Sequence, residues 1–132
     1  MSRMIFVNLP VADVARSTAF YAGLGFTVNP TYSDQRTSCI VVSDTIFVMV
    51  MTRDRFADFS TRPIADDSTE VINCLTCDSR QQVDDLVGRA LAAGGSALRE
   101  PMSDGPMYGH SFADPDGHAW EVMSMDLDVA VR

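Results

Sequence analysis

Apolar and polar positions along this chain repeat one arrangement twice. A nearly continuous apolar run, MIFVNLPV, is followed by Asp13 and then VARSTAFYAGLGF. Some sixty residues on, VINCLTC is followed by Asp78-Ser79 and RQQVDDLVGRALAAGG. Short apolar runs of this length predict strands. Asp13, and either Asp78 or Ser79, sit where a helix N-cap is expected. In the second helix Val83, Leu86, Val87, Ala90 and Leu91 follow the i, i+3, i+4, i+7, i+8 stripe of an amphipathic helix. The first is shorter, with Val14, Phe20, Tyr21 and Leu24 as its expected core contacts. Each ends at glycine, Gly23 or Gly25 and then Gly94-Gly95, the residue best suited to a helix C-terminus.

After each helix come three strand-like runs. In the first half these are Phe26–Tyr32, Arg36–Val42 and Thr45–Thr52; in the second, Ser96–Arg99, Met107–Ala113 and His118–Met123. The pattern predicts an α+β chain, a single domain over 1–132 made of two βαβββ modules at about 1–52 and 70–126. The linker 53–69, RDRFADFSTRPIADDST, reads as a long loop or a short helix. Its Phe56 and Phe59 either close over a pocket or simply anchor a connector. Asp104–Tyr108, with Gly105 and Pro106, reads as a flexible loop. One helix per module covers one sheet face, so the other must be buried elsewhere or be left for a ligand.

Composition narrows the function. A net charge of −8 and only ten cations argue against nucleic acid as a partner. All ten cations are arginine, so a catalytic lysine and Schiff-base chemistry are excluded. An odd count of three cysteines, with no signal-peptide pattern and no long apolar run, points to a reducing cytoplasm and no membrane anchor. Cys74 and Cys77 form a CxxC, but no second pair completes a zinc site. Buried thiols are the expectation.

LPVADVARSTAFYAGLGF resembles the strand–helix opening of the vicinal oxygen chelate superfamily, which includes glyoxalase I, ring-cleaving dioxygenases and the fosfomycin- and bleomycin-resistance proteins. FADPDGHAWEV resembles its last hairpin. The resemblance implies paired βαβββ modules forming a cupped mixed sheet, usually in a homodimer. It also implies a small-molecule ligand and, in metal-using relatives, four ligands to a divalent ion on the first and fourth strands of both modules. The last ligand falls on Glu121. The others fall at Phe6, within IFVMVM and near Ile72, with Glu70 or Cys74 as the nearest substitutes. One donor in four does not make a metal site, so neither metal nor other cofactor is expected. The resemblance then implies either a lactoylglutathione lyase-type lyase or isomerase with a degenerate metal site, or a non-catalytic drug-binding protein of the bleomycin-resistance type. The acidic balance suits a cationic ligand.

The last hairpin supplies the candidate chemistry. Asp114-Pro115-Asp116-Gly117 has Pro second and Gly fourth, as in a tight turn. If these four residues alone make the turn, His110 faces Glu121. Tyr108, His110, Phe112, Ala119, Glu121 and Met123 then share one face, and Trp120 lies on the helix side. The resemblance puts Glu121 inside the cavity. The candidate site is therefore a His110–Glu121 catalytic pair, with Asn8, Phe6, Tyr108, Phe112 and Met123 as binding residues. That pair either transfers a proton and orients a polar ligand, or is a salt bridge stabilising the hairpin.

Overall fold

The computed structural model describes residues 3–125, and the chain divides into two compact units, Met1–Ser68 and Thr69–Arg132. In the first, strand β1 (Ile5–Val11) leads into helix α1 (Val14–Gly23), followed by β2 (Thr27–Asn29), a 3₁₀ turn (Pro30–Tyr32), β3 (Thr37–Val41), β4 (Ile46–Thr52) and helix α2 (Arg53–Phe59). In the second, β5 (Ile72–Thr76) leads into helix α3 (Arg80–Ala92), then β6 (Ser96–Ala97), β7 (Met102–Asp104), β8 (Met107–Ala113) and β9 (Ala119–Met125).

The two sheets have matching connectivity. The first runs β1-β4-β3-β2, the second β5-β9-β8-β6 with β7 also paired to β8. In each, the opening strand is parallel to the closing one, and the remaining pairs are antiparallel. A parallel pair cannot be joined by a tight turn, so each module routes its helix across between them. The helices begin where side-chain oxygens meet the first free amides: Asp13 accepts from the Arg16 N–H and Ser79 from the Gln82 N–H, both as expected. Gly25 and Gly94, just past the helix ends, hold the left-handed backbone that lets the chain leave.

The core follows the pleat. On β1, Leu9 and Val11 are buried while Phe6 and Asn8 are exposed on the alternate face. Val48, Val50, Ile40, Phe20, Tyr21 and Leu24 complete the first core, and Val83, Val87, Ala90, Phe112, Trp120 and Val122 the second. Leu91 departs from its expected place: it is 42 % exposed in the last turn of α3. Two elements went unread in the sequence. Strand β7 has no counterpart among the expected strands, because three residues carry too little periodicity. The segment 104–108 is not a flexible loop but a two-residue turn at Gly105-Pro106 between β7 and β8, with Gly105 at a φ of 60°. No helix among the described residues is long and apolar enough to cross a membrane.

Candidate functional site

The last hairpin corrects the sequence-based register. Asp114 to Gly117 do form a β-turn, with the Gly117 N–H donating to the Asp114 carbonyl at 2.9 Å. The Asp114 N–H also donates to the His118 carbonyl at 3.0 Å, so Asp114 and His118 face each other across a three-residue loop. Gly117, at a φ of 88°, is the extra residue of a G1 bulge. Asp114 Oδ1 fixes this geometry by accepting from the N–H groups of Asp116 and His118, each at 2.9 Å.

One extra residue moves a whole strand to the other face. Glu121 pairs with Ser111, and His110 pairs with Val122. The expected His110–Glu121 pair is therefore not formed. His110 shares a face with Tyr108, Phe112, Trp120 and Val122, and that face carries α3: the Tyr108 hydroxyl donates to Asp84 Oδ1 at 2.5 Å, and the Arg80 guanidinium lies 5.0 Å from the Tyr108 ring centre. Phe112 stacks with Trp120 and is fully buried. Tyr108, His110 and Phe112 thus leave the candidate binding face. Trp120 packs toward the helix as expected, and Met123 keeps its place beside Glu121 on the opposite face.

Around Glu121 the structure collects a different set. Its cross-strand neighbours are Ser111 on β8 and Cys74 on β5. Its Oε2 is held by the Arg99 Nη2. The Ser111 hydroxyl is buried with no hydrogen-bond partner among the described residues. Burial, and then the Glu121 carboxylate beside it, push the Cys74 thiol up from its ordinary range. Cys74 is nevertheless exposed and Cys77 partly so; only Cys39 matches the expectation of buried thiols.

The first unit holds a pocket of about 500 Å³, lined by Asn8, Met51, Phe56, Phe59 and Ser60. The pleat places Asn8 and Met51 on the sheet face opposite Leu9 and Val50, since β1 and β4 run in register with Leu9 beside Val50 and Pro10 beside Met51. Of the two alternatives left open for the linker, the one with Phe56 and Phe59 at a pocket is observed. Helix α2 is capped by the Thr52 hydroxyl, which accepts from the Arg55 N–H. It is tied to the sheet by Arg36, whose guanidinium reaches Asp54 at 3.1 Å and Asp58 at 3.4 Å. Phe6, the other expected binding residue here, stacks on Phe47 with ring centres 4.6 Å apart, and it does not line this pocket. Sequence reasoning missed Met51, Phe56 and Ser60 as neighbours of Asn8, because no local pattern says where a short helix after a strand will lie.

Residues 3–44 match the family model described as bleomycin resistance protein-like N-terminal. Solved structures match nearly the whole chain. A hypothetical protein of S. aureus, SA1046, is 29 % identical with a TM-score of 0.79, and the alignment covers 94 % of both chains. A glyoxalase/bleomycin resistance protein/dioxygenase family enzyme from Burkholderia phytofirmans is 18 % identical with a TM-score of 0.79, covering 94 % of this chain and 99 % of that one. The chain has the glyoxalase/bleomycin-resistance fold. A lactoylglutathione lyase from Agrobacterium tumefaciens shares this fold at 16 % identity, with a TM-score of 0.68 and 96 % of both chains covered. No curated protein matches the sequence. These findings support the resemblance to the vicinal oxygen chelate superfamily drawn from the two sequence motifs.

For a glyoxalase-fold protein the divalent metal is the natural question, and the side chains do not fit one. Among the described residues no three His, Cys, Asp or Glu side chains cluster to hold an ion. Of the four expected positions only Glu121 offers a hard donor, and its carboxylate already carries a guanidinium.

Proposed function

We propose that this chain binds a small molecule in the manner of the bleomycin-resistance type, and that it does not turn one over as a lactoylglutathione lyase. One observation carries the reading: Glu121 is paired with Arg99, while His110 lies on the opposite sheet face. A lyase or isomerase of the glyoxalase type moves a proton, and it needs a base poised to accept one. With His110 on the helix side, the titratable side chain across the strands from Glu121 is Cys74, and its raised thiol pKa leaves it protonated at neutral pH. A carboxylate held by arginine suits a structural or recognition role better. The match of residues 3–44 to the bleomycin resistance protein-like model favours the same side. Two further parts of the proposal follow: the protein works without a divalent metal, and it does so as a homodimer. The three free thiols fit the reducing cytoplasm.

The test is direct. Purified protein incubated with the hemithioacetal of methylglyoxal and glutathione should show no conversion, with or without Ni²⁺ or Zn²⁺. It should carry less than about one tenth of an equivalent of transition metal, and neither ion should raise its Tm. Stoichiometric metal lost on Glu121→Gln, together with turnover, would restore the metal-dependent lyase. Sedimentation at micromolar concentration should show a dimer; a species of one chain mass would remove that part of the proposal.

A further inference from the structure

We infer that the pocket under α2 is the binding site for an uncharged, planar aromatic group, gripped by Phe56, Phe59 and Met51 and read at one polar edge by the Asn8 amide. This deepens the small-molecule-binding reading above and rests on it. The lining decides the ligand class. Asn8, Met51, Phe56, Phe59 and Ser60 include no ionisable side chain, and the nearby Arg55 is already paired with Asp58 at 3.4 Å, so a charged group would lose its water without gaining a free counter-ion. Two aromatic rings and a thioether offer flat, polarisable surface, which favours another ring.

The chain's acidity does not alter this. The first unit carries six arginines and seven acids, the second four arginines and eleven acids, so the negative excess belongs almost wholly to the second. The acidic balance that suggested a cationic ligand therefore says nothing about this pocket. A cation would also have to compete at Phe59, whose ring already has the Arg55 guanidinium 4.4 Å from its centre.

Phe59 is 65 % exposed, and α2 buries none of its residues. Phe59 is therefore not a core anchor; Arg55 covers part of its ring, and the exposed remainder can meet a ligand. Among the described residues lining the pocket, Asn8 supplies the free polar side chain. Its Nδ2 makes one long 3.5 Å hydrogen bond to the Phe6 carbonyl, and its amide oxygen has no partner among the described residues. The Ser60 hydroxyl is already used, donating to the Arg62 carbonyl at 2.6 Å. The ligand's ring should therefore carry an N–H or O–H donor for Asn8.

N-phenyl-1-naphthylamine, neutral, aromatic and bearing one N–H, is the probe. Its fluorescence should rise saturably with one site per chain. Phe59→Ala and Phe56→Ala should each weaken binding by about five- to tenfold, and Asn8→Ala by about threefold to tenfold. Glu100→Gln, at an exposed position in the second unit, should leave it unchanged. All four positions are at least partly exposed, so the variants should fold, and a circular-dichroism melt checks this. Binding that survives the Phe56→Ala/Phe59→Ala double variant would overturn the inference and keep the binding function. No binding of the probe to the wild-type protein also overturns it. A thermal-shift screen of charged and aliphatic compounds then decides the wider reading separately: a hit sustains it, and none sinks it too.

Discussion

The two units share a connectivity and differ in what their free sheet faces carry. Opposite its core, the first sheet displays Phe6, Asn8, Phe47, Met49 and Met51, with α2 laid against part of it. The second displays Glu121, Cys74, Ser111 and Met123, with Arg99 reaching in. The shared packing rules act on the helix-facing positions and leave the alternate positions free to differ. The fold is thus informative about family and nearly silent about activity, which lives on those alternate positions.

The two units should behave alike in their cores. Trp120 is 2 % exposed and stacks on Phe112; Phe20 is 1 % exposed in the first unit. Trp120→Ala and Phe20→Ala should each cost about 3–5 kcal/mol, by lost transfer energy plus a residual cavity. Urea unfolding followed by circular dichroism measures both. A cost below about 1 kcal/mol for either would mean that its unit is not organised around the core described.

The next prediction concerns the bulge that moved His110 away from Glu121. Gly117 holds a φ of 88°, and an added Cβ would meet no atom within 4 Å. Gly117→Ala should therefore cost about 1–2 kcal/mol from backbone strain alone. A neutral effect would mean that the turn has no left-handed residue, and the original register, with His110 facing Glu121, would return.

This turn also shows what was legible beforehand. Helix caps at Asp13 and Ser79, the doubled element order and the inward side of Trp120 were all readable, because each rests on local chemistry or on a period. The register was misread by a single residue. Gly at the fourth turn position usually brings a bulge, here Gly117 and His118 opposite Asp114, and the four-residue reading of the turn leaves it out. The pocket was illegible for a different reason: Phe56 and Phe59 meet Asn8 only because α2 folds back on the sheet, which no sequence period encodes.

A smaller effect reads the helix side of the second unit. The hydrogen bond to Asp84 raises the Tyr108 phenol pKa, and partial burial adds to it. A folded-state pKa above the unfolded value means that the bond's contribution is fully present below about pH 10. It is lost as pH rises through the folded-state value. Tyr108→Phe should cost roughly 0.5–1.5 kcal/mol at pH 7 and flatten the fall in stability above pH 10. An unchanged alkaline limb in the variant would show that Tyr108 does not hold the proton against Asp84, and its place on the α3 face would need another test.

The smallest expected effect concerns the pair on which the functional reading turns. Arg99 is 50 % exposed and Glu121 33 %, so water screens their attraction and competes for both groups. A double-mutant cycle of Arg99→Gln and Glu121→Gln should give a coupling of at most about 1 kcal/mol, shrinking in high salt. Stability alone is thus a blunt probe, and Cys74 offers a finer one. Its thiol is raised by burial first and by the Glu121 carboxylate second. Glu121→Gln removes only the second cause, so Cys74 should be alkylated faster at pH 8, by less than about tenfold, because thiolate is the reacting form. Arg99→Gln should slow the same reaction, since it takes away the cation beside that carboxylate. Cys77, raised by burial and Asp78, provides the internal control and should keep its rate in both variants. If Cys74 reacts at one rate in all three proteins, Glu121 is not its cross-strand neighbour. The register would then fail, and with it the contrast between an apolar first face and a charged second one.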